Sequence, residues 1–137
     1  MGQARQDLTG QWWGDYAYPG QAGPKTPFIA RIEDREGHFT GTIMEPDMFG
    51  TGFVEATLTG HRRGGAVDFV KVYGARAPVG YDRPVDYVGR LSDDGLMIRG
   101  VLSLLDLDGT FEMHREIEAG DMQEQKEVVA LTISDPQ

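Results

Sequence analysis

The amino-acid sequence predicts an all-β protein, an eight-stranded antiparallel up-and-down barrel with a C-terminal tail. Apolar and polar residues alternate in eight separate segments, which is the pattern of strands with one buried face. Glycine makes up 19 of the 137 residues, about twice its usual share, and most glycines stand between these segments. No segment before residue 116 keeps a helical period. Many short strands joined by tight turns are typical of a barrel.

The eight predicted strands are bounded by residues that favour turns. The strands span residues 9–18, 27–34, 38–45, 53–60, 66–73, 84–91, 96–103 and 109–115. Tight hairpins are predicted at Arg35-Glu36-Gly37, Gly64-Gly65, Asp94-Gly95 and Asp108-Gly109. Residues of these types supply the positive φ that such hairpins require. Closing the series into a barrel removes the exposed edges that an open sheet would present.

The length of the chain predicts one domain and a tail. A chain of 137 residues supports a single hydrophobic core, and residues 1–115 are assigned to the barrel domain. Residues 116–137 are polar at first and then apolar at 128–133. We expect this tail to dock on the barrel or on a neighbouring subunit, because an exposed apolar segment of this kind promotes aggregation.

Charge and cysteine content exclude several classes of protein. The net charge is -9, so neither nucleic acid nor an anionic membrane is an expected partner. The absence of cysteine excludes disulfides, thiolate chemistry and cysteine-bound metals. No apolar run approaches the roughly 20 residues of a membrane-spanning helix, and the first residues lack the apolar core of a signal peptide. We therefore expect a soluble, cytoplasmic protein.

Side-chain alternation predicts which residues line the barrel. Counting by twos from Trp12 to Arg115 turns the more apolar and aromatic face of every strand inward. The up-and-down order then separates two ends. One end is apolar apart from Arg115, and the other collects Glu45, Lys71 and four tyrosine hydroxyls. The longer connections, at 19–26, 46–52 and 74–83, lie at the same end as these polar groups, as functional loops usually do.

A pocket that opens at the end with the long connections is the predicted site. Eight strands enclose just enough space for one small ligand. The predicted ligand-binding residues are Tyr16, Tyr18, Phe28, Glu45, Phe69, Lys71, Tyr73, Tyr87, Leu102 and Phe111. Most of this lining is apolar or aromatic surface, and its polar groups are the tyrosine hydroxyls and the charged groups of Glu45 and Lys71. Such a lining suits an apolar or aromatic ligand with a polar or acidic end.

Glu45, Lys71 and Tyr73 are the candidate catalytic residues if the protein is an enzyme. Lys71 and Tyr73 share one face of a strand about 7 Å apart, and Glu45 comes from the same end of the barrel. A lysine inside an apolar barrel is costly unless it is paired, and Glu45 is the available partner. Such a pair can anchor a ligand or transfer protons near neutral pH. The alternative is that Lys71 extends to the mouth and Glu45 lies in a solvated loop.

Three hypotheses of function follow from this lining. The leading one is a small-molecule-binding barrel. The second is a cofactor-independent isomerase, cyclase or lyase in which Glu45 is the base and Lys71 and Tyr73 stabilise a developing anion. The third is a scaffold that uses only its outer surface. No cofactor and no metal are predicted, because no histidine faces inward and no nucleotide- or metal-binding motif occurs.

Two apolar groups on the outward faces predict self-association. Val70, Val72, Val88, Met97 and Val101 lie on neighbouring strands, and Trp13 and Ile29 form a second group. Large exposed apolar patches usually mark interfaces, so we expect a homodimer or a higher homo-oligomer.

The segment Leu8-Thr9-Gly10-Gln11-Trp12 resembles the opening of avidin-type barrels, and Gly10-Gln11-Trp12 also fits the Gly-x-Trp of lipocalins. In this wider calycin group a basic residue of the last strand packs across the first-strand tryptophan. Arg115 stands where that role requires it, so the resemblance implies a calycin-like barrel over about residues 8–115. The spacing of glycines and aromatic residues also resembles small uncharacterised bacterial proteins of this barrel type.

Departures from the family pattern imply that neither biotin nor haem is the ligand. Avidins hold biotin with asparagine and enclose it with tryptophans, whereas this chain has no asparagine and Trp13 lies on the outward face. Haem-binding relatives use a histidine of the barrel. Here His38 and His61 fall at turns of the closed end, and His114 points outward.

Overall fold

Eight antiparallel strands close into a barrel in the computed structural model, which describes residues 7–20, 25–47, 50, 52–74, 77, 83–105 and 107–115. The strands are β1 (Gly10–Ala17), β2 (Thr26–Arg35), β3 (His38–Pro46), β4 (Phe53–Arg63), β5 (Ala66–Tyr73), β6 (Val85–Leu91), β7 (Met97–Leu104) and β8 (Leu107–Arg115). Each strand pairs with the next, and β8 pairs with β1. The predicted all-β fold and its up-and-down order are confirmed.

The sequence also made predictions about membrane-spanning helices and about the C-terminal tail. The described part of the chain holds no helix with the length and hydrophobicity that a bilayer span requires. The predicted tail, residues 116–137, lies outside the described residues.

The hairpin between β2 and β3 forms as predicted, whereas β4 is longer than predicted. Glu36 and Gly37 have φ values of 58° and 93°, which are the positive values of a tight hairpin. β4 continues to Arg63 instead of ending at residue 60, because the next turn is confined to Gly64 and Gly65. As a result, His61 lies in a strand and not in a turn.

The hairpin predicted at Asp108-Gly109 is wrong, because both residues lie inside β8. The chain turns earlier, and Leu105 takes the positive φ, at 58°. Gly109 faces the interior, where a Cβ would lie 2.4 Å from the carbonyl oxygen of Ala17 on β1. Close packing of β8 against β1, and not a turn, therefore requires glycine at this position.

The inward faces predicted from alternation are the buried faces of the strands. The buried apolar residues include Trp12, Phe28, Ile32, Phe39, Ile43, Leu58, Val67, Phe69, Tyr87, Ile98, Leu102, Phe111 and Met113. Among the described residues, the buried charged side chains are Asp34, Glu45, Lys71 and Arg115. These four divide between the two ends of the barrel, which gives each end a different chemistry.

Trp12 and Arg115 close the end that has the short turns. The guanidinium carbon of Arg115 lies 4.8 Å from the centre of the Trp12 ring, as a cation–π contact requires. Nε of Arg115 donates to the carbonyl oxygen of Gly95 at 3.1 Å, and Nε1 of Trp12 donates to that of Leu8 at 2.9 Å. The predicted contact between the last strand and the first-strand tryptophan is confirmed.

Asp34 is a second structural element of the closed end, and the sequence analysis did not single it out. Its carboxylate accepts hydrogen bonds from the backbone N–H groups of Leu8 and Gly37 and from Nε of Arg62, each at 2.9 Å. Burial opposes the charge, but these three bonds outweigh it and hold the pKa of Asp34 below its usual value. Asp34 thus ties the chain before β1 to the β2–β3 turn and to β4.

Replacement of this carboxylate is expected to destabilise the barrel in a pH-dependent way. Asp34→Asn should cost about 2–3 kcal/mol near neutral pH, because a charged acceptor of three hydrogen bonds becomes neutral. The lowered pKa of folded Asp34 means that its stabilisation is complete above the ordinary value of about 3.9 and is lost as the pH falls through the folded value. Urea unfolding of the variant and the parent protein, near neutral pH and below about pH 3, measures the difference.

The difference between Asp34→Asn and the parent protein should shrink at the acidic pH. Asp86→Asn, on the exposed face of β6, is the matched control and should change stability little at either pH. An equal loss for Asp34→Asn at both pH values would show that the carboxylate charge does not carry the effect.

Candidate functional site

Three strands place polar side chains inside the end of the barrel opposite Trp12. β3 contributes Glu45, β5 contributes Lys71 and Tyr73, and β1 contributes Tyr16 from across the interior. β4 lies between β3 and β5, and its inward residue Ala56 pairs with Ile43 on one side and Tyr73 on the other. Because alanine has a short side chain, residues from β3 and β5 can meet over it. The strand order therefore brings together residues that are 26 to 29 positions apart along the chain.

The carboxylate of Glu45 joins these residues into one network, here called the polar cluster (Tyr16, Glu45, Lys71 and Tyr73). Nζ of Lys71 donates to Oε1 of Glu45 at 3.0 Å. The hydroxyls of Tyr16 and Tyr73 donate to Oε2 at 2.8 and 2.9 Å. Lys71 is 1% exposed and Glu45 is 2% exposed. The alternative in which Lys71 extends to the mouth and Glu45 lies in a solvated loop is therefore wrong.

The ammonium group of Lys71 is also surrounded by aromatic rings. Nζ lies 4.6 Å from the ring centre of Tyr16, 4.8 Å from that of Tyr73 and 5.4 Å from that of Tyr87. These distances allow cation–π attraction, which is strongest where water is excluded. Burial nevertheless lowers the pKa of Lys71, and the carboxylate of Glu45 acts in the opposite direction.

Burial and the nearby carboxylate keep the tyrosine hydroxyls protonated. Burial, followed by the charge of Glu45, raises the pKa of Tyr16 well above its ordinary value. Burial, together with Tyr16 and Glu45, has the same effect on the pKa of Tyr73. Both hydroxyls are therefore donors, and the carboxylate between them is their common acceptor.

An aromatic cluster lies beside the polar cluster and is formed by Phe69, Tyr87 and Phe111. The rings of Phe69 and Tyr87 are stacked with centres 4.5 Å apart, and Phe111 meets Tyr87 edge to face at 5.0 Å. Paired aromatic rings of this kind resist rearrangement, because offset stacking and edge contacts both depend on geometry. One end of the barrel thus combines a rigid apolar wall with a charged, hydrogen-bonding group.

The remaining predicted site residues lie around these two clusters. Phe28 is buried beside Tyr16, with ring centres 6.4 Å apart. Tyr18 is half-buried and meets Tyr16 edge to face at 6.1 Å. Leu102 is fully buried and pairs with Tyr87, so it contributes apolar wall only. Half-buried Tyr18 and Tyr73 are the predicted site residues that solvent reaches.

The long connections at this end are only partly described. Of the predicted stretches 19–26, 46–52 and 74–83, residues 21–24, 48–49, 51, 75–76 and 78–82 lie outside the described residues. The described residues of the predicted site are therefore those that the strands contribute, with Tyr18 directly after β1.

Sequence reasoning did not find every important contact. It placed Tyr16 in the lining but did not join it to Glu45, because alternation along a strand gives no distance across the barrel. For Asp34 a signal was present, since the inward series Phe28, Ala30 and Ile32 continues to it. The contact between His38 and His61 forms because β4 extends beyond its predicted end at residue 60 and so includes His61.

Other candidate sites on the described residues lie on the outer wall. One shallow groove is lined by residues that include Asp15, Lys25, Arg99 and Glu112. A second is lined by residues that include Arg31, Glu33, Thr40 and Thr42. Among the described residues no three or more His, Asp or Glu side chains gather in a group that could hold a metal ion. Phe111 of the predicted site also lines the first groove, but the other lining residues of both grooves lie outside that site.

The fold and the polar cluster define a class of protein, a closed eight-stranded antiparallel β-barrel with a charged pair buried inside one end. No protein-family model matches the chain, and no curated protein matches it either.

The Glu45–Lys71 pair is expected to show strong energetic coupling. Glu45→Gln and Lys71→Met should each destabilise the barrel by about 3–5 kcal/mol, because each leaves an uncompensated buried charge. The double variant removes both charges and keeps an amide oxygen for Tyr16 and Tyr73. It should therefore lose no more than either single variant, as measured by urea unfolding in a double-mutant cycle.

The exposed pair Arg99–Glu112, at 3.1 Å on the outer wall, is the matched control. Arg99→Met, Glu112→Gln and their combination should each cost less than about 1 kcal/mol, because water screens an exposed pair. Additive losses at Glu45 and Lys71 would contradict a coupled buried pair.

Proposed function

We propose that the protein is a small-molecule-binding barrel of the calycin type. Its ligand enters at the end with the long connections and is apolar or aromatic with one polar end. The observation that carries this proposal is the fully buried Lys71–Glu45 pair, held inside an otherwise apolar barrel by Tyr16 and Tyr73.

The energetics of the pair support a role beyond folding. Moving two charges out of water is expensive, and their attraction seldom returns the whole cost. Apolar residues of similar volume would fill the same space at equal or lower free energy. A barrel that keeps Lys71 and Glu45 beside half-buried Tyr73 gains little stability from them, which favours a recognition role for these groups.

The polar cluster suits a particular kind of ligand end. Glu45 balances the charge of Lys71, so the pair has no net charge to attract a carboxylate. A neutral hydroxyl or carbonyl group can instead exchange hydrogen bonds with the tyrosine hydroxyls and the carboxylate without adding a charge. The aromatic cluster of Phe69, Tyr87 and Phe111 offers stacking surface for the body of the ligand. An uncharged polar end is therefore favoured over an acidic one.

The enzymatic alternative is a cofactor-independent isomerase, cyclase or lyase that works by proton transfer. The lowered pKa of Lys71 favours it, since a lysine that loses its proton more readily can act as a base. Against it, both oxygens of Glu45 already accept hydrogen bonds from neighbouring side chains. Proton abstraction would neutralise the common acceptor of these bonds, whereas a hydrogen bond exchanged with a ligand keeps its charge, so binding fits the contacts of Glu45 better.

Binding is tested first by native mass spectrometry of freshly purified protein, in which a co-purified small molecule is expected. It is tested further with Nile red, an uncharged aromatic probe with a carbonyl group, whose fluorescence reports an apolar site. Tyr73→Phe should weaken Nile red binding about two- to tenfold, because one hydrogen-bonding group is lost. Thr40→Ala, which removes an exposed hydroxyl from the outer wall of β3, is the control and should leave the affinity unchanged.

Equal Nile red affinity in the parent protein, Tyr73→Phe and Glu45→Gln would contradict a ligand site at the polar cluster. Retained binding of a turnover substrate together with loss of its conversion in Glu45→Gln would instead support the enzymatic alternative.

The outer wall supports a further proposal, that the protein forms a homodimer or a higher homo-oligomer. Val88 and Val101 pair directly across β6 and β7 and are 60% and 45% exposed. On the other side of the barrel, the exposed residues Trp13, Ile29 and Met44 pair in sequence across β1, β2 and β3. Contiguous exposed apolar rows of this kind favour an interface.

Size-exclusion chromatography with light scattering measures this association. The parent protein should elute as a dimer or larger species, and Val88→Asp should shift it toward the monomer, because a charge in an apolar interface is not solvated. Thr40→Asp, on the exposed face of β3, is the control, because its paired residues Glu33 and Thr59 belong to neither apolar group. A parent protein that is monomeric at all concentrations would overturn the proposal.

We propose separately that the protein is cytoplasmic. Cell fractionation would test this location.

A further inference from the structure

Two histidines meet on the outer wall near the closed end of the barrel. His38 begins β3, His61 lies near the end of β4, and the register pairs them directly. Nδ1 of His38 lies 3.3 Å from Nε2 of His61, and the two rings meet edge to face with centres 4.9 Å apart. Both side chains are exposed, so ions in solution reach them without opening the fold.

The distance between the two nitrogens matches that of two ligands on one zinc ion. Zinc binds imidazole nitrogen at about 2.0–2.1 Å with tetrahedral geometry, which separates two bound nitrogens by about 3.3–3.4 Å. Adjacent ligands of a square-planar Cu(II) or Ni(II) ion with bonds of about 2.0 Å would lie closer, at about 2.8 Å. The observed spacing therefore favours zinc. The two nitrogens share one hydrogen bond, so an ion that binds both of them takes the place of the shared proton.

We propose that His38 and His61 chelate a zinc ion on the outer wall of β3 and β4. The site has two protein ligands, since no group of three or more His, Asp or Glu side chains suited to a metal occurs among the described residues. The two other tetrahedral positions are left to water or to a ligand from solution, as in an open zinc site. The site lies at the end opposite the polar cluster, so it does not depend on the proposed ligand-binding function.

The charged side chains next to the two histidines do not, on balance, repel a cation. Arg35 pairs with His38, and Asp68 pairs with His61, so one positive and one negative side chain flank the histidines. Their charges offset each other, which leaves the affinity to the two imidazoles. β3 and β4 hold both rings on directly paired positions, so little conformational freedom is lost when the ion binds.

Isothermal titration of the full-length protein with zinc chloride, together with imidazole-nitrogen NMR, tests this site. The parent protein should bind zinc with shifts of the His38 and His61 ring nitrogens. His38→Gln and His61→Gln should each weaken binding roughly a hundredfold, because chelation by the second ring is lost. His114→Gln, which removes the third histidine of the chain, is the control and should bind zinc as the parent protein does.

Circular dichroism of each variant establishes that the barrel is intact before zinc is added. Parent-like zinc affinity in His38→Gln and His61→Gln would overturn the proposal. Zinc binding that leaves both ring-nitrogen signals unmoved would also overturn it, because the ion would then be held elsewhere on the chain.

Discussion

Closure of the sheet is the constraint on which the rest of this structure depends. When β8 pairs with β1, each strand has one face inside a cylinder of fixed width, and alternate side chains must share that space. Where the wall is most crowded, there is no room for a side chain. At Gly100, which pairs with Gly89, a Cβ would lie 2.0 Å from the carbonyl oxygen of Val88. Large aromatic rings can fill the interior because glycines stand where the strands approach each other most closely.

The two ends of the cylinder use buried charge in different ways. At the closed end, Arg115 and Asp34 bond mainly to backbone groups, so their charges hold the chain ends and turns in place. At the opposite end, Lys71 and Glu45 bond to each other and to tyrosine hydroxyls. A charge that satisfies backbone groups has an evident structural role. A charge pair whose described partners are side chains could be replaced by apolar residues, and that difference is the physical basis for proposing a ligand site at this end.

Much of the polar cluster could be predicted from the sequence, because period-two alternation is a local property. It placed Glu45, Lys71 and Tyr73 on inward faces, and the strand order placed them at one end. The hydrogen bonds from Tyr16 to Glu45 and the aromatic surroundings of Lys71 could not be predicted, because they connect opposite walls of the barrel. Such distances depend on how the strands tilt and coil. The contact of His38 with His61 could not be predicted either. It depends on where β4 ends, and turn residues locate the end of a strand only approximately.

By itself, the sequence determined the number of strands, their order, the face of each strand that turns inward and the end at which polar groups collect. Each of these follows from local alternation and from turn residues, which act over a few positions of the chain. Only the tertiary structure decided that Lys71 is buried and does not extend to the open end of the barrel. It also decided that the hydroxyl of Tyr16 donates a hydrogen bond to Glu45. It also decided that Gly109 serves packing and not a turn. The reason is that these outcomes depend on distances across a closed barrel, where residues far apart in the chain compete for the same interior volume.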